Sequence, residues 1–257
     1  MLLGYIWKRR FTLFLVSVSG LLAFSVTAGK TSAGQSWGLI TALIMGTALI
    51  LLYLNFEQSS VSSREIAVIA VLGAMAAVGR VSTAALPNIQ PATFLIILSG
   101  YVFGARAGFM TGSVAALASN FFLGQGPWTP WQMFAWGLAG SSAACLRAFC
   151  PGAGRWAMIF FQLFWGYAFG WIMNLWTWTA FIYPLSWQSF LATYAASAWF
   201  DTLHAAGNVL FYLFLGPGTE KVFRRVKKRL EVSPLQVGHI NIVMPRVIPG
   251  HDYLPQK

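Results

Sequence analysis

Residues 92–123 read ATFLIILSGYVFGARAGFMTGSVAALASNFFL. Two apolar runs, about 92–105 and 107–123, meet at Gly104-Ala105-Arg106-Ala107-Gly108. Backbone N–H and C=O groups cannot stay unpaired in hydrocarbon, so runs this apolar should be helices. The first is shorter than the roughly 20 residues that a membrane helix needs. A glycine-flanked break with one arginine therefore reads as the tip of a tight helical hairpin.

The same reading extends in both directions. Further apolar runs lie at about 11–28, 36–54, 65–86, 131–147, 156–182 and 190–215. The chain of 257 residues is 57% hydrophobic and 9% charged, against about 25% charged in soluble domains. So few charges cannot cover a globular surface in water. A soluble enzyme, a disordered chain and a fibrous repeat are excluded, and an all-α polytopic membrane bundle remains. The run at 11–28 follows Lys8-Arg9-Arg10 as a signal peptide would, but its length and the poor cleavage site at Ala28-Gly29-Lys30 favour an uncleaved helix.

The net charge of +11 does not mark a nucleic-acid partner, because the basic residues are scattered between apolar runs. With eight spans and a cytoplasmic N-terminus, 15 basic residues fall inside and only Lys30 and Arg80 fall outside. This is a strong positive-inside bias, and it predicts a multi-pass plasma-membrane protein with both termini cytoplasmic. The basic segment Lys221 to Arg229 then lies against anionic lipid headgroups. Cys145 and Cys150 fall on the reducing side, where a disulfide is not expected. No CxxC pair or His cluster suggests a metal.

The polar stretch 55–63 divides the chain. Residues 1–63 form an N-terminal transmembrane hairpin and linker, 64–217 a block of six spans, and 218–257 a basic tail after Gly216-Pro217-Gly218.

Four constellations could carry chemistry. In the last span, Asp201, His204 and Asn208 are spaced i, i+3, i+7 and share one face. Asp201 is the one acidic residue in the interior of a span, since Glu65 only opens the run at 65–86. It is either a ligand contact or half of a buried Asp–His pair that locks the helix. In the seventh span, Trp171, Asn174 and Trp178 repeat that spacing. They read as an aromatic-walled pocket or as packing with an interfacial belt. The segment 120–133 sets Asn120, Gln125, Thr129 and Gln132 beside Trp128 and Trp131 in a loop fixed by two Gly and two Pro. It reads as a ligand lid or an anchored turn. Around Leu86-Pro87-Asn88-Ile89-Gln90-Pro91, Asn88 and Gln90 accompany Arg80, which could meet an anionic ligand group or snorkel to headgroups. The third span also carries small residues, with Ala70 and Ala74 forming an AxxxA. No phosphate-binding glycine loop, paired carboxylates or nucleophile elbow is present.

Arg64 to Gly216 resembles the substrate-binding S component of energy-coupling factor (ECF) vitamin transporters, and most closely the group associated with cobalamin uptake. The residues behind this are Ala70/Ala74, Ala85 to Pro91, Gly104 to Gly108, Gly124 to Gln132 and Asp201-Thr202-Leu203-His204, in that order along six spans. The resemblance implies a binding subunit and not an enzyme. It would capture a vitamin-like micronutrient, cobalamin or a related cobamide, at the extracellular side. A T component and two ATPase subunits would supply the energy. ATP would be used by those partners, and no cofactor would be held by this chain. The AxxxA helix would contact the T component, and outward loops at about 81–91, 123–131 and 182–190 would cap the ligand. The two leading spans lie outside the six-helix pattern. The alternatives are a membrane-embedded enzyme using Asp201 and His204, or a structural subunit of a membrane complex.

Overall fold

The computed structural model describes residues 37–57, 62–152 and 154–230. The apolar run at 11–28, Lys30 and the end of the tail lie outside them. The described residues form seven helices and no strands: α1 (Trp37–Glu57), α2 (Ser63–Ser82), α3 (Ala92–Phe103), α4 (Ala105–Leu123), α5 (Thr129–Phe149), α6 (Arg155–Phe181) and α7 (Trp187–Leu230). The fold is an all-helical bundle. Helices α1, α2 and α6 are long and apolar enough to cross a membrane.

The hairpin is present, and its turn is a single residue. Gly104 lies between α3 and α4 with φ 107°, a left-handed conformation that a side chain would strain. At 12 residues, α3 is only about 18 Å long. It forms the centre of the bundle, buried on nearly every side. Phe94, Ile97, Leu98, Tyr101 and Val102 pack against Leu72 of α2, Ala139 of α5, Trp165 of α6 and Tyr212 of α7. A helix apolar all round is one that other helices surround.

Glycines set the helix spacing. Gly100 of α3, Gly108 of α4 and Gly140 of α5 meet backbone to backbone, and Gly112 rests on the backbone of Trp136 and Gly137. On α6, Gly166 lies against the Ala205 backbone and Gly170 against the Asp201 carboxylate of α7. Gly108/Gly112 and Gly166/Gly170 are both GxxxG pairs, the spacing that lets membrane helices approach closely. The GxxxG spacing was open to view in the sequence.

One boundary differs from the sequence reading. The break expected at Gly216-Pro217-Gly218 is absent, and α7 runs through Pro217 to Leu230. A proline inside a helix removes one backbone bond and usually costs about 3 kcal/mol. Packing beyond it holds the helix together. Phe223 is buried against Phe103, with ring centroids 5.8 Å apart. Lys227 Nζ donates to the Val102 carbonyl at 2.9 Å. Arg147 Nη1 donates to the carbonyls of Tyr101 at 3.2 Å and Val102 at 2.9 Å. Cations from α5 and α7 thus cap the C-terminal carbonyls of the short central helix, where the helix dipole favours positive charge. The first part of the basic segment is therefore built into the bundle.

Candidate functional site

Near the end of α2, Arg80 Nη1 donates to Ser119 Oγ and Asn120 Oδ1, each at 2.6 Å. The Arg80 guanidinium lies 5.0 Å from the Trp136 ring centroid. Asn120 is buried. Its Nδ2 donates to Thr129 Oγ1 at 3.0 Å and to Gln132 Oε1 at 2.7 Å. The Thr129 hydroxyl donates to Gln125 Oε1 at 2.9 Å, and Gln125 Nε2 donates to the Leu117 carbonyl at 3.0 Å. The α4–α5 connection is thus tied to the end of α2 by one polar network, with the arginine at its head.

A second chain runs through the core. Trp136 Nε1 donates to Thr93 Oγ1 at 2.8 Å, and Thr93 Oγ1 lies 2.9 Å from His204 Nε2. His204 Nδ1 lies 3.1 Å from the Asn88 carbonyl. A carbonyl only accepts, so Nδ1 carries a proton, and Nε2 can accept from the Thr93 hydroxyl. Asn88 adopts φ 59°, and its side chain donates to the Phe200 carbonyl at 2.8 Å. The Phe169 ring is stacked between Trp136 (4.6 Å) and His204 (5.3 Å). His204 therefore anchors the α2–α3 connection to α7.

Asp201 has its own partners. Ser197 Oγ donates to Asp201 Oδ2 at 3.0 Å, and Asn174 Nδ2 donates to the same oxygen at 3.3 Å. No hydrogen bond joins Asp201 to His204 among the described residues, so the buried Asp–His pair foreseen from their spacing does not form. The two side chains share a face of α7 but turn to different neighbours.

Between the α2–α3 connection and the ends of α4 and α5 lies a cavity of about 240 Å³. Arg80, Asn88, Gln90 and Gln132 supply its polar groups, and Leu86, Leu123 and Phe169 its apolar walls. Two larger hollows have a different character. One, of about 620 Å³ between α1 and α4/α5, is lined almost wholly by apolar residues such as Leu49, Ile50 and Met133. The other, of about 520 Å³, runs along Pro217, Arg224 and Lys228 of α7. A few convergent polar groups in an apolar concavity mark a small-molecule site, and of these three only the 240 Å³ cavity combines them with buried supporting networks.

The structure thus brings together Arg80, Asn88, Gln90 and Gln132 at the cavity, with Asn120, Gln125, Thr129 and His204 behind it. Asn174 and Asp201 form a separate cluster between α6 and α7. Trp128 folds its ring over Gly126 within its own loop. The Trp131 indole N–H is buried without a partner among the described residues. Neither lines the cavity. Nor do Trp171, 48% exposed, and Trp178, whose Nε1 donates to Ser189 Oγ at 3.0 Å across the α6–α7 turn. The sequence reading missed Thr93, Ser119, Trp136 and Phe169. Trp136 lies one helical turn after Gln132, and Thr93 is a polar residue in an apolar run; nothing in the sequence singled out Phe169. No group of three His, Cys, Asp or Glu that could hold a metal occurs among the described residues.

On α2, Ala70 and Ala74 are exposed, beside Val71, Met75 and Val78, while Gly73 and Ala77 of the same helix are buried. The AxxxA therefore faces away from the bundle.

These features define a class: a membrane-embedded helical bundle with a walled polar cavity near one end and an apolar small-residue face on its flank. The sequence model for the substrate-specific component of ECF transporters matches residues 64–218, and the chain belongs to that family. It is a substrate-binding subunit of a membrane transporter and not an enzyme, and membership implies T-component and ATPase partners. No curated protein and no solved structure gave a match.

Proposed function

We propose that the chain captures a vitamin-like micronutrient at the extracellular side, in the cavity headed by Arg80. It then delivers the cargo to an importer energised by a T component and two ATPase subunits. The observation that carries this is the convergence of Arg80, Asn88, Gln90 and Gln132 on one cavity, braced by networks that reach α4, α5 and α7. Residues 64–217 form the binding domain. ATP is bound by the partners and no cofactor by this chain. The exposed AxxxA face of α2 is the surface for the T component.

The first test is to purify the chain from cells grown in rich medium, denature it and identify any small molecule released. The expected result is one compound in about equimolar amount, which cells accumulate only when T and ATPase subunits are co-expressed. An empty protein, or a released compound that those cells do not accumulate, would overturn the reading. The resemblance favours cobalamin or a related cobamide. Sites for drug-sized ligands span about 300–1,000 Å³, and a corrinoid is larger than such ligands. At about 240 Å³ the cavity suits a more compact cargo, and a corrinoid would have to displace the α2–α3 connection. Release of a corrinoid would decide for the larger cargo.

Orientation has its own test. A multi-pass arrangement with cytoplasmic termini puts Arg147, Arg155 and the basic part of α7 inside. Cys150 is a free, exposed thiol at that end, between Arg147 and Arg155. A membrane-impermeant maleimide is expected to label Cys150 in inverted vesicles and to leave it unlabelled in intact cells; the opposite pattern would reverse the topology.

A further inference from the structure

Among the described residues, the cavity holds one cation and no counter-ion, and Arg80 is the only charged one that lines it. The single ion pair among the described residues joins Arg224 and Glu220, far along α7. Both protons of Arg80 Nη1 are engaged by Ser119 and Asn120. That fixes the plane of the guanidinium, and Trp136 supports it. A guanidinium has five N–H donors, so the Nε and Nη2 edge is left for an occupant of the cavity. That edge is a planar two-donor fork, the shape that matches a carboxylate. A half-buried charge held at the end of a membrane bundle with no protein counter-ion is costly unless an anion completes it.

We propose that the cargo is a compact carboxylate whose anionic group pairs with Arg80. This rests on the capture reading above and narrows it. The charge count favours a carboxylate over a phosphate. One cation balances one negative charge, whereas a phosphate monoester carries about −1.5 to −2 and three acceptor oxygens. The rest of the lining fits the body of such a molecule. Phe169, Leu86 and Leu123 offer apolar walls. Gln132 gives its Oε1 to Asn120, which leaves its Nε2 to donate to the cargo. The volume of about 240 Å³ keeps the cargo small.

The test compares wild type with Arg80→Gln and Arg80→Lys, each purified and first shown to be monodisperse with an unchanged melting temperature. Material released from the wild type by denaturation is separated on an anion exchanger and identified by mass spectrometry. Its affinity for each protein is measured beside that of its primary amide, prepared from it. The expected compound carries a carboxylate. Arg80→Gln should bind it about 100-fold or more weaker, the scale of leaving a buried charge unpaired. Arg80→Lys should recover part of the loss, and the amide should bind the wild type about 100-fold or more weaker than the acid. A neutral compound, a cationic compound, a phosphate ester or a phospholipid would overturn the inference and leave cargo capture standing. No compound from the wild type would overturn both. If Arg80→Gln does not fold, the acid–amide comparison on the wild type decides alone, and equal affinity would refute the pairing.

Discussion

Leucine at both Ala70 and Ala74 is expected to reduce ATP-driven uptake to background while cargo binding by the purified subunit stays within about twofold. The two alanines are exposed on α2, in an otherwise bulky apolar face. Lipid tails are as apolar as that face, so hydrophobicity alone drives no association there. Close packing does, and it requires small residues at the contact. Leucine keeps the helix apolar and insertion-competent but fills the gap that a partner helix would enter. A charged substitution such as Ala74→Glu should block the contact as well, but it also burdens insertion, so leucine is the cleaner probe. The buried neighbours Gly73 and Ala77 are left alone, because Gly73 already touches Val114 of α4. Uptake would be measured in cells that co-express the T component and the ATPases, with recovery of the T component on the tagged subunit as the second readout. Normal uptake with normal recovery would remove α2 as the coupling surface.

Much of the architecture was legible because membrane physics leaves few choices. Once 57% hydrophobic content and 9% charge exclude water as the main solvent, the helices follow from backbone pairing alone. The break at Gly104 followed from chain chemistry, and the block 64–217 was drawn from the polar stretch 55–63 and Gly216-Pro217-Gly218. The family match over 64–218 falls on nearly the same bounds. The error at Pro217 has a definite cause. Proline predicts a helix end only when local bonds decide, and here Phe223, Arg224 and Lys227 hold the helix through contacts with α3.

The candidate site was legible in its polar members and illegible in its aromatic ones. Arg80, Asn120 and His204 stand out because polar groups in apolar runs need partners. Which partners they take depends on helix rotation and spacing, and no local pattern fixes those. Asp201 and His204 illustrate this: adjacent on one face of α7, they bond to α6 and to the α2–α3 region respectively. Trp171 and Trp178 failed to reach the cavity for the same reason. A shared helical face says nothing about which neighbour it meets.

Valine at Gly140 is expected to leave no folded protein. Gly140 of α5 lies against the backbone of Gly108 of α4, and Gly100 of α3 closes on the same point. A side chain there meets the Gly108 main chain, which cannot rotate away as a flexible side chain would. Ordinary overpacking costs about 1–3 kcal/mol. Here relief requires moving α4 off α5, and Gly108 is also held against Gly100 of α3, a helix buried on nearly all sides and capped at its end by Arg147 and Lys227. The loss should therefore reach about 5 kcal/mol or more, the range reserved for disrupted cores and comparable with the total stability of many proteins. The matched control is Gly46→Val on α1, where an added Cβ meets nothing within 4 Å. Both variants make the same change inside a helix, so they share the propensity cost and differ only in the close approach. Fluorescence-detected size-exclusion and resistance to protease would separate them: Gly46→Val should elute and melt as the wild type does, whereas Gly140→Val should aggregate or be degraded. Equal behaviour of the two would show that the three-glycine contact does not set the spacing of α3, α4 and α5.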